Sequence, residues 1–172
     1  YIGGDIRIFS GPVPAQRTGE LEQIAGIAAA TPFIEVKAVT SGTEFRLIGV
    51  NPLAYADCGD WQASSMPGQT PASLLAALAA DQDGSILPQE FAAKFGVHAG
   101  GQVAVTVYDQ SDIFLETKVF NVVGELYSAP GLGYANPSDQ AAVNLPVPGF
   151  GFQKSQPFAF CNENYFLVDL PS

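Results

Sequence analysis

Basic side chains are scarce in this sequence, and their scarcity excludes one large class of partners. The 172 residues include seven Lys and Arg against 17 Asp and Glu, for a formal net charge of −10. The basic residues stand singly and never form a cluster: Arg7, Arg17, Lys37, Arg46, Lys94, Lys118 and Lys154. Because a phosphate backbone or an anionic lipid surface binds clustered positive charge, we expect neither nucleic acid nor anionic lipid as a direct partner.

Long hydrophobic runs are also missing. No stretch reaches the ~18 apolar residues of a membrane-spanning helix, and the first residues lack the pattern of a signal peptide. The chain begins at Tyr1 without an initiator Met, just before a strand-like segment at 6–9, and it ends just after an apolar segment at 165–170. Both ends resemble domain edges, so we expect membrane or targeting segments in a longer parent protein.

Sequence motifs for catalysis, for metals and for cofactors are absent as well. There is no G-x-S-x-G or S-x-x-K motif, and His98 is the only histidine, with no Cys or carboxylate at ligand spacing. A calcium loop fails at 81–85 because its glycine comes fourth, and a dinucleotide loop fails at 131–133 because the third glycine is missing. No spacing selects a pair among the carboxylates. The sequence therefore predicts no catalytic residue, no metal and no cofactor, with His98 as a surface turn residue.

Only two cysteines are present, Cys58 and Cys161. In an extracytoplasmic protein they could pair and close a loop of about a hundred residues, which stabilises by up to ~4–5 kcal/mol in the chain-entropy model. The polar surroundings of Cys58 favour this disulfide. The alternative is two buried free thiols.

Aromatic and aliphatic residues are plentiful by contrast. The sequence is 47% hydrophobic, with 12 Phe and 6 Tyr, and only 14% charged. That composition supports a packed interior in one domain or in two small subdomains that share a core.

Periodicity and turn residues predict an α+β fold. In the first half we expect a strand at 6–9, a helix at 19–30 capped by Thr18, a hairpin of strands 33–40 and 44–50, a loop over 53–70 and a helix at 71–80 capped by Thr70. In the second half we expect a helix at 88–95 ended by a left-handed Gly96, strands at 103–108 and 114–126, the latter bulged near Gly124, and a closing strand at 165–170.

The segment 128–157 is rich in Gly and Pro and contains one short apolar piece at 141–145 that predicts a strand. Phe150 and Phe152 are spaced by glycine and are the candidate partner-contact residues of this loop, because exposed aromatics bury large areas on a partner. The alternative is that both rings fold back and anchor an irregular loop.

Several segments of the sequence, taken in order, resemble the extracytoplasmic domain of MacB/FtsX-like ABC-transporter permeases. These segments are the helix-like 21–27 followed by Thr31-Pro32, the strand end Leu47-Ile-Gly-Val-Asn-Pro52, the segment Gly84–Val103, the strand 120–126 and the strand 165–170. The likeness covers nearly the whole chain except residues 53–70 and 128–157.

The resemblance implies a β-α-β porter-like subdomain formed by 1–83 plus 158–172, with an inserted β-rich, Sabre-like subdomain at 84–157. It implies a non-catalytic domain outside the cell membrane that couples ATP hydrolysis by a separate cytoplasmic ATPase to export, lipoprotein release or signalling. An extracytoplasmic adaptor or a second permease copy would be further partners. Two alternatives stay open: a secreted binding or adhesion module whose loops 53–70 and 128–157 recognise a glycan or protein, and a hydrolase with unrecognised carboxylates.

Overall fold

The computed structural model describes residues 17–59, 61, 66, 68–109, 112–129, 133–134 and 158–162. The strands expected at 6–9, 141–145 and 165–170 lie outside these residues. The described elements, in chain order, are α1 (Thr18–Glu22), β1 (Phe33–Thr40), β2 (Thr43–Val50), α2 (Pro52–Cys58), α3 (Pro71–Ala80), β3 (Gly84–Pro88), α4 (Gln89–Phe95), β4 (Gln102–Tyr108), β5 (Phe114–Leu126), β6 (Ser128–Ala129), β7 (Gly133–Tyr134) and β8 (Phe158–Asn162). Mixed helices and strands make the fold α+β, as the sequence predicts.

Six of the described strands form one closed barrel in the order β1-β2-β8-β3-β5-β4, which closes where β1 pairs with β4. The β2–β8 and β3–β5 pairs are parallel and the other pairs are antiparallel. Closure removes the exposed sheet edges that would otherwise template aggregation. Strands β6 and β7 form a separate two-stranded sheet.

The predicted hairpin of β1 and β2 is confirmed. Thr40 pairs with Thr43 across a two-residue turn in which Ser41 has φ +45° and Gly42 has φ +75°. Two successive positive φ angles are the conformation whose twist matches a tight antiparallel hairpin. Gly42 takes this conformation at little steric cost.

One hydrophobic cluster fills the interior of the barrel. Strand β4 shows the expected alternation, with Val103, Val105 and Val107 buried between more exposed neighbours. Residues of four other strands and of α4 meet them there: Ala38, Phe45, Leu47, Leu87, Phe91, Ala92, Phe120 and Val122. The Phe45 and Phe91 rings lie 4.9 Å apart, so α4 packs directly onto the strands.

A second cluster joins the outer face of the barrel to α2 and α3. Tyr55 of α2 and Leu74, Leu75 and Leu78 of α3 are buried in it, against strand residues that include Ile48. Helix α3 has the predicted bounds. Its capping box is complete, because Thr70 Oγ1 accepts from the Ser73 N–H at 3.2 Å and Ser73 Oγ accepts from the Thr70 N–H at 3.1 Å.

The prediction of a loop from residue 53 onward is wrong for its first part, which is helix α2. The Asn51 side chain accepts a hydrogen bond from the Ala54 N–H at 3.2 Å, and Pro52 occupies the first turn. Asn-Pro ends the hairpin, as expected, but the same two residues also begin a helix, since asparagine caps and proline fits the first helical position.

The predicted helix at 19–30 is too long. Helix α1 ends at Glu22 and contains no buried residue, and Gly26 adopts a left-handed φ of +95°. A short helix without an apolar face packed on the core gains little from tertiary contacts. Arg17, not Thr18, is the N-cap residue, and its side chain makes no capping hydrogen bond.

The segment 84–126 follows its prediction closely. Gly96 has a left-handed φ of +64°, and the Val97 N–H donates to the Ala92 carbonyl at 2.9 Å, which ends α4 as expected. Strand β5 has the predicted bounds, and its register against β3 shifts between Ser85 and Ile86, which places the expected bulge beside Gly124. Strands of both predicted subdomains join the same barrel. The division into 1–83 plus 158–172 and 84–157 stays a prediction.

Candidate partner-contact site

The far end of the β4–β5 hairpin is the most exposed apolar feature of the described residues. Val107 pairs with Glu116 and Tyr108 with Phe114, so Leu115 is an extra residue on β5. Ile113, Phe114 and Leu115 are 61%, 57% and 52% exposed. We call these three residues the apolar tip. Three consecutive large apolar side chains in solvent are unusual on a soluble domain and indicate a contact site.

Hydrogen bonds from Asp109 hold the backbone of the apolar tip. The Ile113 N–H donates to Asp109 Oδ1 at 2.8 Å, and the Asp109 N–H donates to the Ile113 carbonyl at 2.9 Å. The Asp112 N–H donates to the Asp109 carbonyl at 3.2 Å, and Asp112 itself adopts a left-handed φ of +61°. Both the N–H and the carbonyl of Ile113 are therefore hydrogen-bonded to Asp109.

Acidic side chains surround the apolar tip. Lys37 of β1 donates to Asp112 at 2.8 Å and lies 3.2 Å from Glu44. The hydrogen bond to Asp112 raises the pKa of Lys37 above its ordinary value, and the hydrogen bond to Glu44 adds a smaller contribution in the same direction. Lys37 is therefore shared between two carboxylates beside the tip, those of Asp112 and Glu44.

A shallow groove of about 470 Å³ lies on the barrel next to this hairpin. Its lining includes Val39, Phe95, Val97, Ala104, Thr106 and Thr117, and no ionisable side chain is among its described lining residues. The hydroxyls of Thr106 and Thr117 lie 3.0 Å apart, across the β4–β5 pair. The half-exposed Val119, opposite Ala104, extends this uncharged surface.

The candidate residues from the sequence are not brought together in the described part of the chain. Phe150 and Phe152 lie outside the described residues. Cys58, at the end of α2, is a half-buried free cysteine, and burial, followed by the charges of Asp57 and Glu22, raises the pKa of its thiol. Cys161 lies on β8, but its side chain is not described. The disulfide between Cys58 and Cys161 stays a prediction.

His98 is the surface turn residue that the sequence predicts. Its side chain is 64% exposed, and Nδ1 lies 3.0 Å from Oε1 of Glu125, which also accepts from the Ala99 N–H at 3.3 Å. This contact ties the α4–β4 connection to β5.

Among the described residues, no group of three or more His, Cys, Asp or Glu side chains is arranged to hold a metal ion. No helix in the described ranges is long and apolar enough to cross a membrane.

The apolar tip is not predicted as a site from the sequence. The signal was present in Asp112-Ile-Phe-Leu-Glu116, where three apolar residues in a row interrupt the alternation expected of a half-buried strand. The predicted strand 114–126 includes Phe114 and Leu115 and has the bounds of β5, whereas Ile113 precedes it. Their exposure follows from the assembled barrel, because its interior is filled by residues nearer the middle of the hairpin.

Comparison with known proteins gives structural neighbours only. No protein-family model and no curated protein matches the chain. One similar solved structure is the extracellular domain of the noncanonic ABC-type transporter YknZ from Gram-positive bacteria, at 14% identity and a TM-score of 0.43, over 88% of this chain and 63% of that one. Another is a domain of a protein described as a permease from Porphyromonas gingivalis, at 16% identity and a TM-score of 0.46, over 95% of this chain and 53% of that one.

This chain therefore spans about 63% and 53% of the lengths of those two structures. Both neighbours are domains of transport proteins, one of them extracellular.

Proposed function

We propose that the chain is the extracytoplasmic domain of an ABC-transporter permease. In this role it performs no chemistry. It couples ATP hydrolysis by a cytoplasmic ATPase to export, lipoprotein release or signalling outside the membrane. The parent permease would anchor it in the cell membrane, and its partners would be the ATPase and either an extracytoplasmic adaptor or a second permease copy.

The observation that supports the proposal is the structural position of the segments that resemble MacB/FtsX-like permeases. In Leu47–Pro52, Leu47 is buried inside the barrel, Ile48 and Val50 are buried against α2 and α3, and Asn51 caps α2. The segment Leu47–Pro52 therefore has a structural role along its length. It joins the strand to a helix while contributing to both hydrophobic clusters.

The backbone geometry also favours glycine at several positions of the segment Gly84–Val103. A Cβ on Gly84 would lie 2.8 Å from the Asp81 carbonyl oxygen, and one on Gly101 would lie 3.0 Å from that of His98. Gly96 and Gly100 have φ angles of +64° and +88°, which favour glycine. The glycines that resemble the permease family therefore stand at positions where the backbone geometry favours glycine. This agreement supports an architecture shared with that family.

The packing suits a part that transmits motion. The barrel is closed, its interior is filled, and two helices are fixed to its outer face by a second cluster. A closely packed body moves as a unit, because its interior is hard to compress or shear. We propose further that 1–83 plus 158–172 and 84–157 correspond to the porter-like and the inserted subdomain.

The test is the open reading frame of the parent protein. We expect an apolar span of ~20 residues on each side of this chain and an ATPase gene beside it. Soluble flanks on both sides would contradict the proposal. A secretion signal with a cell-wall anchor would instead favour the binding or adhesion module, for which the exposed apolar tip is the supporting observation.

A further inference from the structure

We propose that two copies of this chain associate through β5, whose open edge pairs with itself in antiparallel fashion about a twofold axis at Thr117. The open edge is the side of Leu115–Val119 that faces away from β4. The inference deepens the proposed function, on which it rests only where the second copy belongs to a second permease.

The first argument is the backbone of β5, which extends past its shorter neighbour β3. The Asn121 N–H donates to the Asp83 carbonyl at 2.8 Å, so Asn121 presents its backbone toward β3. Successive residues of a strand present theirs to alternate sides, so Thr117 and Val119 face the same way as Asn121. Strand β3 begins only at Gly84, opposite Asn121. Within the described part of the chain, no strand pairs with β5 on that side before Asn121.

The side chains along the open edge are in solvent. Leu115 and Val119 are 52% and 50% exposed, and Thr117 between them is exposed as well. An exposed strand edge with apolar side chains is a template for a further strand, because it offers unpaired N–H and C=O groups at the spacing of a β ladder. The chemistry of the edge therefore calls for an extended segment of polypeptide.

The second argument is that the sequence of the open edge is complementary to itself. It reads Leu115-Glu-Thr-Lys-Val119, with Thr117 at the centre, a charge of each sign beside it and an apolar residue at each end. In an antiparallel pair centred on Thr117, Leu115 lies opposite Val119 of the second copy, and Glu116 lies opposite its Lys118. The twofold axis makes each pair twice. Apolar pairs and opposite-charge pairs directly across two strands both stabilise the pairing.

The third argument is that charge selects this register among those that the backbone allows. Thr117 and Val119 both present their backbone to the open edge, so an antiparallel partner can shift only in steps of two residues. A shift in one direction places Lys118 opposite Lys118 of the second copy, and a shift in the other places Glu116 opposite Glu116. Like charges directly across two strands are unfavourable.

The pairing is compatible with the contact that Lys118 already makes. Its Nζ lies 2.7 Å from Oδ1 of Asp83. An ammonium group has three N–H donors, so Lys118 can keep this bond and also approach Glu116 of the second copy. An extended segment of an unrelated protein would need to match the order of apolar and charged residues, whereas a second copy carries that order in its own sequence.

The experiment measures disulfide cross-linking between copies of the chain, in a background with Cys58→Ser and Cys161→Ser. Thr117→Cys brings two thiols together at the twofold axis, where the paired Cα atoms are about 5.5 Å apart, within the range that a disulfide spans. The matched control is Thr106→Cys, which lies opposite Thr117 on β4 and away from the open edge. At about 1 mM chain, the effective concentration that tethering in a common assembly gives, we expect Thr117→Cys to form dimers about tenfold faster than Thr106→Cys.

The same assay tests the register. Leu115→Cys alone and Val119→Cys alone should cross-link slowly, because each residue is offset from its own copy by about 13 Å along the strands. A mixture of the two variants should cross-link rapidly and give the mixed dimer, which mass spectrometry identifies. Equal thermal midpoints of the single-cysteine variants show that their folds are equally intact.

Reversal of the charges tests the Glu116–Lys118 pairs without a cross-link. Glu116→Lys and Lys118→Glu should each weaken self-association about five- to tenfold in sedimentation velocity, because two opposite-charge pairs become like-charge pairs. A mixture of these two variants should associate again, since every cross-strand pair then has opposite signs. Recovery in the mixture shows that both variants are folded.

Equal cross-linking rates at positions 117 and 106, or a mixture of Leu115→Cys and Val119→Cys that links no faster than each alone, would overturn the inference. A chain that stays monomeric at about 1 mM would also overturn it and leave the open edge to another partner. Labelling of Gln82→Cys in the parent protein with a membrane-impermeant maleimide separates the two proposals. If Gln82→Cys is labelled from outside and the chain does not pair, only this inference fails. If the chain pairs and Gln82→Cys is not accessible from outside, the proposed function fails.

Discussion

Adding one methyl group at Gly124 should destabilise the fold, because a Cβ at this position of β5 would collide with a side chain of α3. Gly124 pairs with Ile86 just after the bulge. A Cβ there would overlap Cδ1 of Leu74 and lie 3.0 Å from Oε1 of Gln69. Gln69 is exposed and can move. Leu74 cannot move easily, because it is 1% exposed in the outer cluster and follows the fixed start of α3.

The magnitude follows from two opposing effects. Overpacking a closely packed core by one methyl group costs about 1–3 kcal/mol, and replacing a strand glycine by alanine returns about 0.5–1 kcal/mol of backbone entropy. Gly124→Ala should therefore lower the free energy of unfolding by about 0.5–2 kcal/mol. Leu74→Ala alone should lower it by about 2–5 kcal/mol, through the cavity that it leaves.

In the Leu74→Ala background the added methyl group enters empty space. There Gly124→Ala should be neutral or stabilising by up to about 1 kcal/mol, so the double-mutant cycle should give a coupling of about 1–3 kcal/mol. The measurement is urea unfolding of the four proteins followed by far-UV circular dichroism. Gly19→Ala is the matched control, since nothing lies within 4 Å of a Cβ at that position. Equal destabilisation by Gly124→Ala in both backgrounds would refute the argument.

Three further predictions concern α2, Cys58 and the apolar tip. Asn51→Ala removes the cap that accepts from Ala54 and should lower the free energy of unfolding by about 1 kcal/mol, whereas Asn51→Ser should retain most of it; equal losses in urea unfolding would contradict the capping role. In the reduced protein, the raised pKa of Cys58 should shift its alkylation by iodoacetamide to higher pH than in an unfolded peptide. The thiol's contribution to stability should be present below the unfolded pKa and lost as the pH rises through the folded one, and a profile matching the peptide's would contradict this. Asp109→Ala removes the acceptor for Ile113 and should speed hydrogen exchange of that amide with a loss of about 0.5–1.5 kcal/mol in stability; unchanged exchange would show that the bond does not order the tip.

The elements best predicted from the sequence are those with strong local signals at both ends. Helix α3 begins with Thr70-Pro71 and presents three leucines to the core, and α4 ends in a glycine that takes the left-handed conformation. The β1–β2 hairpin has a Ser-Gly turn between two β-rich segments. In each case the local preference and the tertiary packing agree, so the boundaries follow closely.

The failures also have physical reasons. Helix α1 ends early, and within the described part of the chain none of its residues is buried; the sequence alone does not show which faces find a partner. Closure of the barrel depends on the pairing of β1 with β4, about 70 residues apart along the chain, and on β8, which no pattern predicted. The apolar tip was missed because exposure is a property of the assembled barrel. Phe114 and Leu115 favour a strand whether they are buried or not.

The most direct test of the central claim is the position of this domain relative to the membrane in living cells. A single cysteine in place of the exposed Gln82, in a parent protein whose own cysteines are replaced by serine, is treated with a membrane-impermeant maleimide. Because an extracytoplasmic domain faces the reagent, we expect labelling of intact cells to equal that of lysed cells. Labelling that appears only after lysis would place the domain in the cytoplasm and contradict the account.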